Sequence, residues 1–284
     1  MKRNSRRPDF DATLGYEYPT HLRDRIADLP TTPGVYIFHG ESGDLPLYIG
    51  KSVNIRSRVM SHLRTADEAR MLRQTHSISF IRTTGEIGAL LLEARLIKEQ
   101  QPLFNHKLRR SRHICSVRLD GDQPEIVYSN QIDFSSTPDL YGLYASRHSA
   151  IEALKNIADE QRLCFSVLGL EKLTGDRPCF RAMLNRCAGA CHGQESRAAH
   201  RSRLLESLSH TRVICWPYPG AIGLIERLDD ETQIHVVNNW FYLGSVATLE
   251  EARTLHLTAP SFDSDGYKIL CKPIMSGSAE IVEL

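Results

Sequence analysis

The sequence predicts an α/β (α+β) protein: a small mixed sheet flanked by helices, followed by a cysteine-rich α+β region. Three observations predict it. From residue 34, short strand-like runs alternate with helix-like runs. Four of the seven cysteines fall between 164 and 191. The charge is split along the chain. Residues 1–112 carry 19 Lys and Arg against 12 Asp and Glu, and the remaining residues carry 16 against 22. The formal net charge of +1 hides that split, and a basic part joined to an acidic part points to a nucleic-acid-binding module.

The elements follow in order. Residues 1–27 are polar at the start and read as a loose basic arm. Thr31-Thr32-Pro33-Gly34 is turn chemistry, Val35–Phe38 a strand, Glu41–Asp44 a turn and Leu45–Ile49 a second strand, together a hairpin. Gly50 ends it and lets the backbone turn. A helix is expected over Val53–Leu63 and another over Thr65–Thr75, then a strand over Ser77–Arg82. Thr84 is placed to cap a helix from Glu86 to about Gln101, which Pro102 stops. Residues 28–110 thus form one module.

Residues 111–193 form a middle region, with strands at Ile114–Leu119, Glu125–Tyr128 and Leu140–Tyr144, a helix over Ser149–Glu160, and then the cysteines. Residues 194–284 show a helix over 195–209 and strand-like pieces at Gly220–Glu226, Gln233–Asn238 and Tyr267–Lys272, with a hairpin at Ser276-Gly277. No role is derived for them. Trp216, Trp240 and Phe241 are read as core residues rather than as stacking platforms.

A chain of 284 residues with 41% hydrophobic and 24% charged residues excludes a disordered polymer. No apolar run approaches the ~18–20 residues of a membrane span. The basic start, Met1–Arg7, has no apolar stretch after it, so no secretory signal is read and a cytoplasmic location is expected.

Chemistry concentrates in the first module. Tyr36 and Tyr48 lie on adjacent strands with their hydroxyls on one face, and Lys51 and Arg58 bring fixed positive charge nearby. Asn54 and Arg58 are four apart, on one helix face. Glu93 is an acid within the largely apolar run Ala89–Ile97. Singly, each residue has a bland alternative as packing or solvated surface. Together, phenol, ammonium, guanidinium and carboxylate suit phosphodiester hydrolysis. That reaction needs an activated water, a cation for the charge on phosphorus and help for the leaving oxygen.

Gly34-Val35-Tyr36 and Tyr48-Ile49-Gly50 resemble the two signature tripeptides of GIY-YIG endonucleases, with Val in the middle of the first. The run from Glu86 to Glu93 and the segment Pro102-Leu103-Phe104-Asn105 are similar to UvrC excinucleases and their short homologues. That resemblance implies Tyr48 as general base or proton relay, with Tyr36 and Lys51 supporting it. It implies Arg58 on the phosphorane, Glu93 on a single Mg²⁺ or Mn²⁺, and Asn105 as a brace. Asn54, Arg56, His62, Arg109 and Arg110 are the expected DNA contacts. His62 stands where UvrC proteins carry Tyr, so a phosphate contact, proton transfer and plain surface all stay open for it. A tyrosine pKa of ~10 is high for a base, so Lys51 or the metal has to ease proton loss.

Cys164, Cys179, Cys187 and Cys191 are separated by 14, 7 and 3 residues. Only the last spacing is of the paired zinc type, so spacing leaves zinc and iron–sulfur both open. Cys115, Cys215 and Cys271 are isolated and read as structural. The segment resembles the cysteine-rich part of UvrC, which implies a [4Fe–4S] cluster, and His192 is a further candidate ligand. The resemblance covers about residues 28–193. It implies damaged duplex DNA as substrate, UvrB (with UvrA upstream) as partner, no membrane, and induction on DNA damage. A second nuclease unit is not recognised after residue 193, which implies one incision, on the 3′ side of a lesion, and none on the 5′ side. A non-catalytic damage-binding module and a UvrB-independent nuclease are the alternatives.

Overall fold

The computed structural model describes residues 20–41, 46–105, 114–119, 121, 123–173, 178–255 and 262–284. Arg109, Arg110 and most of the expected basic arm lie outside these residues. Two compact units are described, one formed mainly by the chain up to residue 110 and one by the chain from 111 on.

In the first unit, β1 (Gly34–His39), β2 (Pro46–Ser52) and β3 (Ser77–Arg82) form a sheet of order β2-β1-β3. Both pairings are antiparallel, so the expected mixed sheet is antiparallel instead. β1 is central and buried on both faces, because its side chains alternate between two cores. Tyr36 and Phe38 point into one core with Leu22, Ile55, Val59, Leu63 and Leu72. Val35 and Ile37 point into the other with Ile49, Leu96 and Ile97. Helices α1 (Arg23–Ala27), α2 (Ile55–His62) and α3 (Ala69–Gln74) serve the first core, and α4 (Glu86–Gln100) serves the second. Each fully buried aliphatic chain contributes about 1.5–3 kcal/mol.

Three expectations change here. Residues 20–27 are no loose arm: Leu22 and Ile26 belong to the core, and Arg56 of α2 donates to the Ala27 carbonyl at the end of α1. Gly50 does not end its strand either, since β2 runs on to Ser52. The N-cap position of α4 is Gly85, one residue beyond Thr84. The free edge of β2 is covered by the chain after α4, where the Leu103 and Phe104 amides donate to the Pro46 and Leu47 carbonyls at 3.2 and 2.8 Å.

In the second unit, β4 (Cys115–Arg118), β5 (Glu125–Tyr128) and β6 (Leu140–Tyr144) form an antiparallel sheet of order β5-β4-β6. Helix α5 (Arg147–Glu160) packs on it. After the short α6 (Phe180–Met183), α7 (Arg197–Ser209) returns to this core through Leu204 and Leu208. The helix expected within 194–284 therefore packs with the middle region, because its buried Leu204 and Leu208 share one core with Leu154 and Val117.

A second sheet, of order β10-β7-β8-β9, holds β7 (Ile222–Leu228), β8 (Glu231–Asn238), β9 (Phe241–Val246) and β10 (Glu280–Glu283). Helices α8 (Leu249–Thr254) and α9 (Ser264–Met275) complete it. Residues 267–272 are thus helical, not a strand, and Ser276-Gly277 follows a helix end. Trp240 is fully buried, donates from Nε1 to the Ile214 carbonyl at 3.1 Å, and meets Trp216 and Tyr267 edge-on. Core packing is its role. Buried His235 is satisfied between Glu226 at 2.9 Å and Ser245 at 2.7 Å.

Candidate active site and cysteine cluster

Antiparallel pairing puts Tyr36 opposite Gly50 and Phe38 opposite Tyr48. Both tyrosine rings lie on the α2 side of the sheet, 6.2 Å apart between centroids. His62, at the end of α2, completes an aromatic cup at 5.4 Å from each of them. Its Nε2 is 2.6 Å from the Tyr36 hydroxyl, and its Nδ1 is bonded to the Glu68 carboxylate. Gly50 makes room for this. A Cβ there would stand 2.3 Å from Tyr36 Oη and 2.8 Å from Tyr48 Cε1.

Burial pushes the Tyr36 phenol far above its ordinary value, with Tyr48 adding to the rise and a hydrogen bond from Arg58 opposing it. Burial raises Tyr48 too, followed by the charge of Glu93, while a hydrogen bond with Tyr36 works the other way. Arg58 stands exposed at the rim and is the cation acting on both phenols.

Lys51 does something else. Strand alternation turns it away from Tyr48, and its Nζ pairs with Glu86 at 2.6 Å. Its backbone amide donates to Glu93 Oε1 at 3.0 Å. Lys51 therefore steadies the carboxylate end of the site, not the phenols. Burial pushes the Glu93 carboxyl above the usual range, against the Lys51 amide bond and the Lys51 and Arg58 charges. A desolvated carboxylate near the exposed Arg58 fits a divalent cation, whose charge would reverse that rise. Asn105 braces β2 from outside: its amide accepts from the Ile49 N–H at 2.9 Å and donates to the Ile49 carbonyl at 2.8 Å.

Three of the expected DNA contacts have partners within the protein. Asn54 is the N-cap of α2, its Oδ1 accepting from the Ser57 amide at 2.9 Å. Arg56 donates to the Leu29 and Ala27 carbonyls at 2.7 and 3.0 Å, closing the end of α1. His62 is buried, so it offers no surface to a phosphate. Glu68 was missed: nothing in its sequence neighbourhood, Thr65-Ala66-Asp67-Glu68, separates it from an ordinary first-turn acid.

The four cysteines converge. The sulfurs of Cys164 and Cys179 are 3.5 Å apart and those of Cys179 and Cys187 3.6 Å apart. The Cys179 amide donates to Cys191 Sγ at 3.4 Å. Cys164, Cys179 and Cys191 place their sulfurs within 4.8 Å of one another. All four are free thiols. Burial opposes ionisation of Cys164, but hydrogen bonds from Ser166, the Val167 amide and neighbouring thiols outweigh it and bring the thiol to about 7. Burial pushes Cys179 and Cys187 up. Four convergent sulfurs fit a thiolate-bound metal centre, whose binding would expel the remaining protons. His192 stands exposed, with Nδ1 3.4 Å from Cys191 Sγ.

Two tyrosines, an arginine and a glutamate gather around this three-stranded sheet, and the model of the UvrC-like GIY-YIG domain matches residues 32–106, which hold all four. The UvrC/Cho excinuclease middle domain matches residues 114–210, and the excinuclease Cho C-terminal domain matches 221–284. The chain belongs to the excinuclease Cho family. It is 60% identical to excinuclease Cho of Escherichia coli O157:H7 over 280 residues, 99% of this chain and 95% of that one. Identity to the Salmonella typhi excinuclease Cho is 58% over 283 residues, 100% and 97% of the two chains. The UvrABC system protein C of Caldicellulosiruptor saccharolyticus is 32% identical over 61% of this chain and 30% of its own. The GIY-YIG domain of Thermotoga maritima UvrC, solved with its catalytic magnesium, is 35% identical over 30% of this chain and 94% of its own, with a TM-score of 0.28. This chain is thus an excision endonuclease of nucleotide excision repair, a phosphodiester hydrolase with a UvrC-like nuclease domain. Among the described residues, no helix is long and apolar enough to cross a membrane.

Proposed function

We propose that this chain cuts the damaged strand on the 3′ side of a lesion, after UvrB (with UvrA upstream) has marked the site, and makes no 5′ cut. The observation that carries the hydrolytic reading is the convergence of Tyr36, Tyr48 and Arg58 on one side of β2 with Glu93 reached from the other. Arg58, exposed at the rim, holds the nonbridging oxygens of the scissile phosphate. Tyr48 faces the attacking water and passes its proton inward. Glu93 would hold one Mg²⁺ or Mn²⁺, which would supply positive charge at the leaving oxygen. Asn105 keeps β2 in register beneath these groups. The single-incision reading is supported by the domain order, in which one nuclease domain precedes the middle and Cho C-terminal domains. A cytoplasmic setting and induction on DNA damage go with this reading.

The deciding experiment is incision of an end-labelled lesion duplex with the chain alone and with UvrA and UvrB. One cut, 3′ to the lesion and only with UvrB, is expected. Cutting without UvrB would replace this reading with a stand-alone nuclease, and tight binding with no cut would replace it with a damage-binding module.

Cys164, Cys179, Cys187 and Cys191 hold a metal centre that organises the middle region rather than taking part in hydrolysis, and a [4Fe–4S] cluster is the form the resemblance favours. Protein purified without oxygen is expected to be brown, with broad absorbance near ~400 nm and iron in the preparation. Stoichiometric zinc without iron would make it a zinc site instead.

A further inference from the structure

Burial holds both phenols protonated, so Tyr48 has no standing phenolate with which to take a proton from water. The proton needs a further acceptor, and the fold supplies one. His62 is buried against Tyr36, with Nε2 2.6 Å from the hydroxyl. Its other nitrogen is bonded to Glu68. A carboxylate only accepts, so the His62 proton stands on Nδ1 and the Nε2 lone pair faces the Tyr36 O–H.

We propose that Glu68 is a positioning residue, fixing His62 as the end acceptor of a proton relay that runs from Tyr48 through Tyr36. The inference rests on the hydrolytic reading, with Tyr48 facing the attacking water. As the water oxygen bonds to phosphorus, the bond from phosphorus to the leaving sugar oxygen breaks. That oxygen departs with the electron pair and takes a proton from solvent, and the water proton goes to Tyr48 Oη. The Tyr48 proton passes to Tyr36, and the Tyr36 proton passes to His62 Nε2. Both phenols end neutral, and the positive charge ends on an imidazolium beside the Glu68 carboxylate. No phenolate has to exist before attack.

The charged and titratable groups around His62 agree with this. Burial keeps the imidazole uncharged and so able to accept, and Glu68 opposes that by favouring the charged form. Arg58, on the same helix, disfavours it. Tyr36 faces His62 from β1 and Tyr48 from β2, and Glu93 acts on both phenols. The His62 side chain is 2% exposed and that of Glu68 33%, so Glu68 is also where the proton leaves for solvent.

The test is single-turnover nicking of a lesion duplex with UvrA, UvrB and excess magnesium, for wild type, Glu68→Gln, His62→Tyr and the double variant. The carboxamide introduced by Glu68→Gln would still accept from Nδ1–H, so the substitution removes charge with little change of shape. The Glu68→Gln rate is expected to fall at least tenfold, within the ~10²–10⁴ range of general-base contributions, with duplex affinity within twofold. His62 must be neutral to accept, so the wild-type rate rises with pH through the imidazole pKa. Glu68 favours the charged form, so its loss moves that rise to lower pH while the plateau falls. In the His62→Tyr background the Glu68→Gln change is expected to alter the rate less than twofold. Wild-type nicking by Glu68→Gln, an unmoved pH profile, or the same loss in both backgrounds overturns the relay. A wild-type chain that nicks nothing overturns the hydrolytic reading itself.

Discussion

Glu93→Ala is expected to lower nicking by about 10³-fold or more while duplex binding stays within a few-fold. An uncatalysed phosphodiester is among the slowest biological bonds to hydrolyse, and loss of the cation site removes the charge that meets the leaving oxygen. Duplex affinity comes from phosphate contacts of basic residues, and Glu93 is none of these. Arg58→Ala is expected to cost nicking on a similar scale, from the phosphate side of the site. The Glu93 position also has a stability signature. Burial raises its pKa, so the folded state disfavours the ionised form. That cost is absent at pH below the unfolded pKa and grows as pH rises through the folded one. Glu93→Gln keeps an acceptor for the Lys51 amide and removes the charge. Its metal-free Tm at pH 8 should therefore equal or exceed that of wild type. Magnesium should raise the wild-type Tm and leave that of Glu93→Gln unmoved. A Glu93→Ala protein that nicks normally would sink the assignment, and so would equal magnesium stabilisation of both proteins.

Much of the first unit was legible because its periods are clean. Val35–Phe38 and Ser77–Arg82 carry strand signals, and the helix from Glu86 presents Ala89, Leu96 and Ile97 to one side. The errors are equally physical. Lys51 lies three residues from Tyr48, and three is odd in a strand, so the two point to opposite faces. Ile269-Leu270 is a short apolar pair that fits strand or helix. The wider spacing Gly266, Leu270, Ile274 is helical, and Asp263 caps it. His62 meets Tyr36 across 26 residues and Glu68 across 6, a pairing that exists only once β1, α2 and the turn after it have packed. Asn54 and Arg56 look like phosphate ligands by type, but Asn54 Oδ1 and two nitrogens of Arg56 are engaged at helix ends.

Gly50→Ala is expected to cost nicking at least 10²-fold and to destabilise the nuclease unit by about 1–3 kcal/mol, the range for an overpacked core. The signature tripeptide alone suggests that this glycine serves a sharp turn. Its backbone is that of an ordinary strand residue, outside the positive-φ region, so alanine would be harmless if conformation were the reason. The obstacle is space. An added methyl would stand 2.3 Å from Tyr36 Oη and 2.5 Å from Cζ. Tyr36 is 1% exposed and enclosed by Phe38, Tyr48 and His62, so its ring has nowhere to retreat without breaking the hydroxyl contact to His62. Activity should therefore fall further than stability alone explains. The Tyr36→Phe change separates the two effects. Combined with Gly50→Ala, it deletes the nearest clashing atom and should recover part of the lost Tm. The Cζ and Tyr48 Cε1 contacts remain, and the hydroxyl that the chemistry needs is gone, so nicking should not return. A Gly50→Ala protein with wild-type Tm and nicking would mean that the phenol cradle tolerates a methyl group, and the close packing of Tyr36 on β2 would then carry no functional weight.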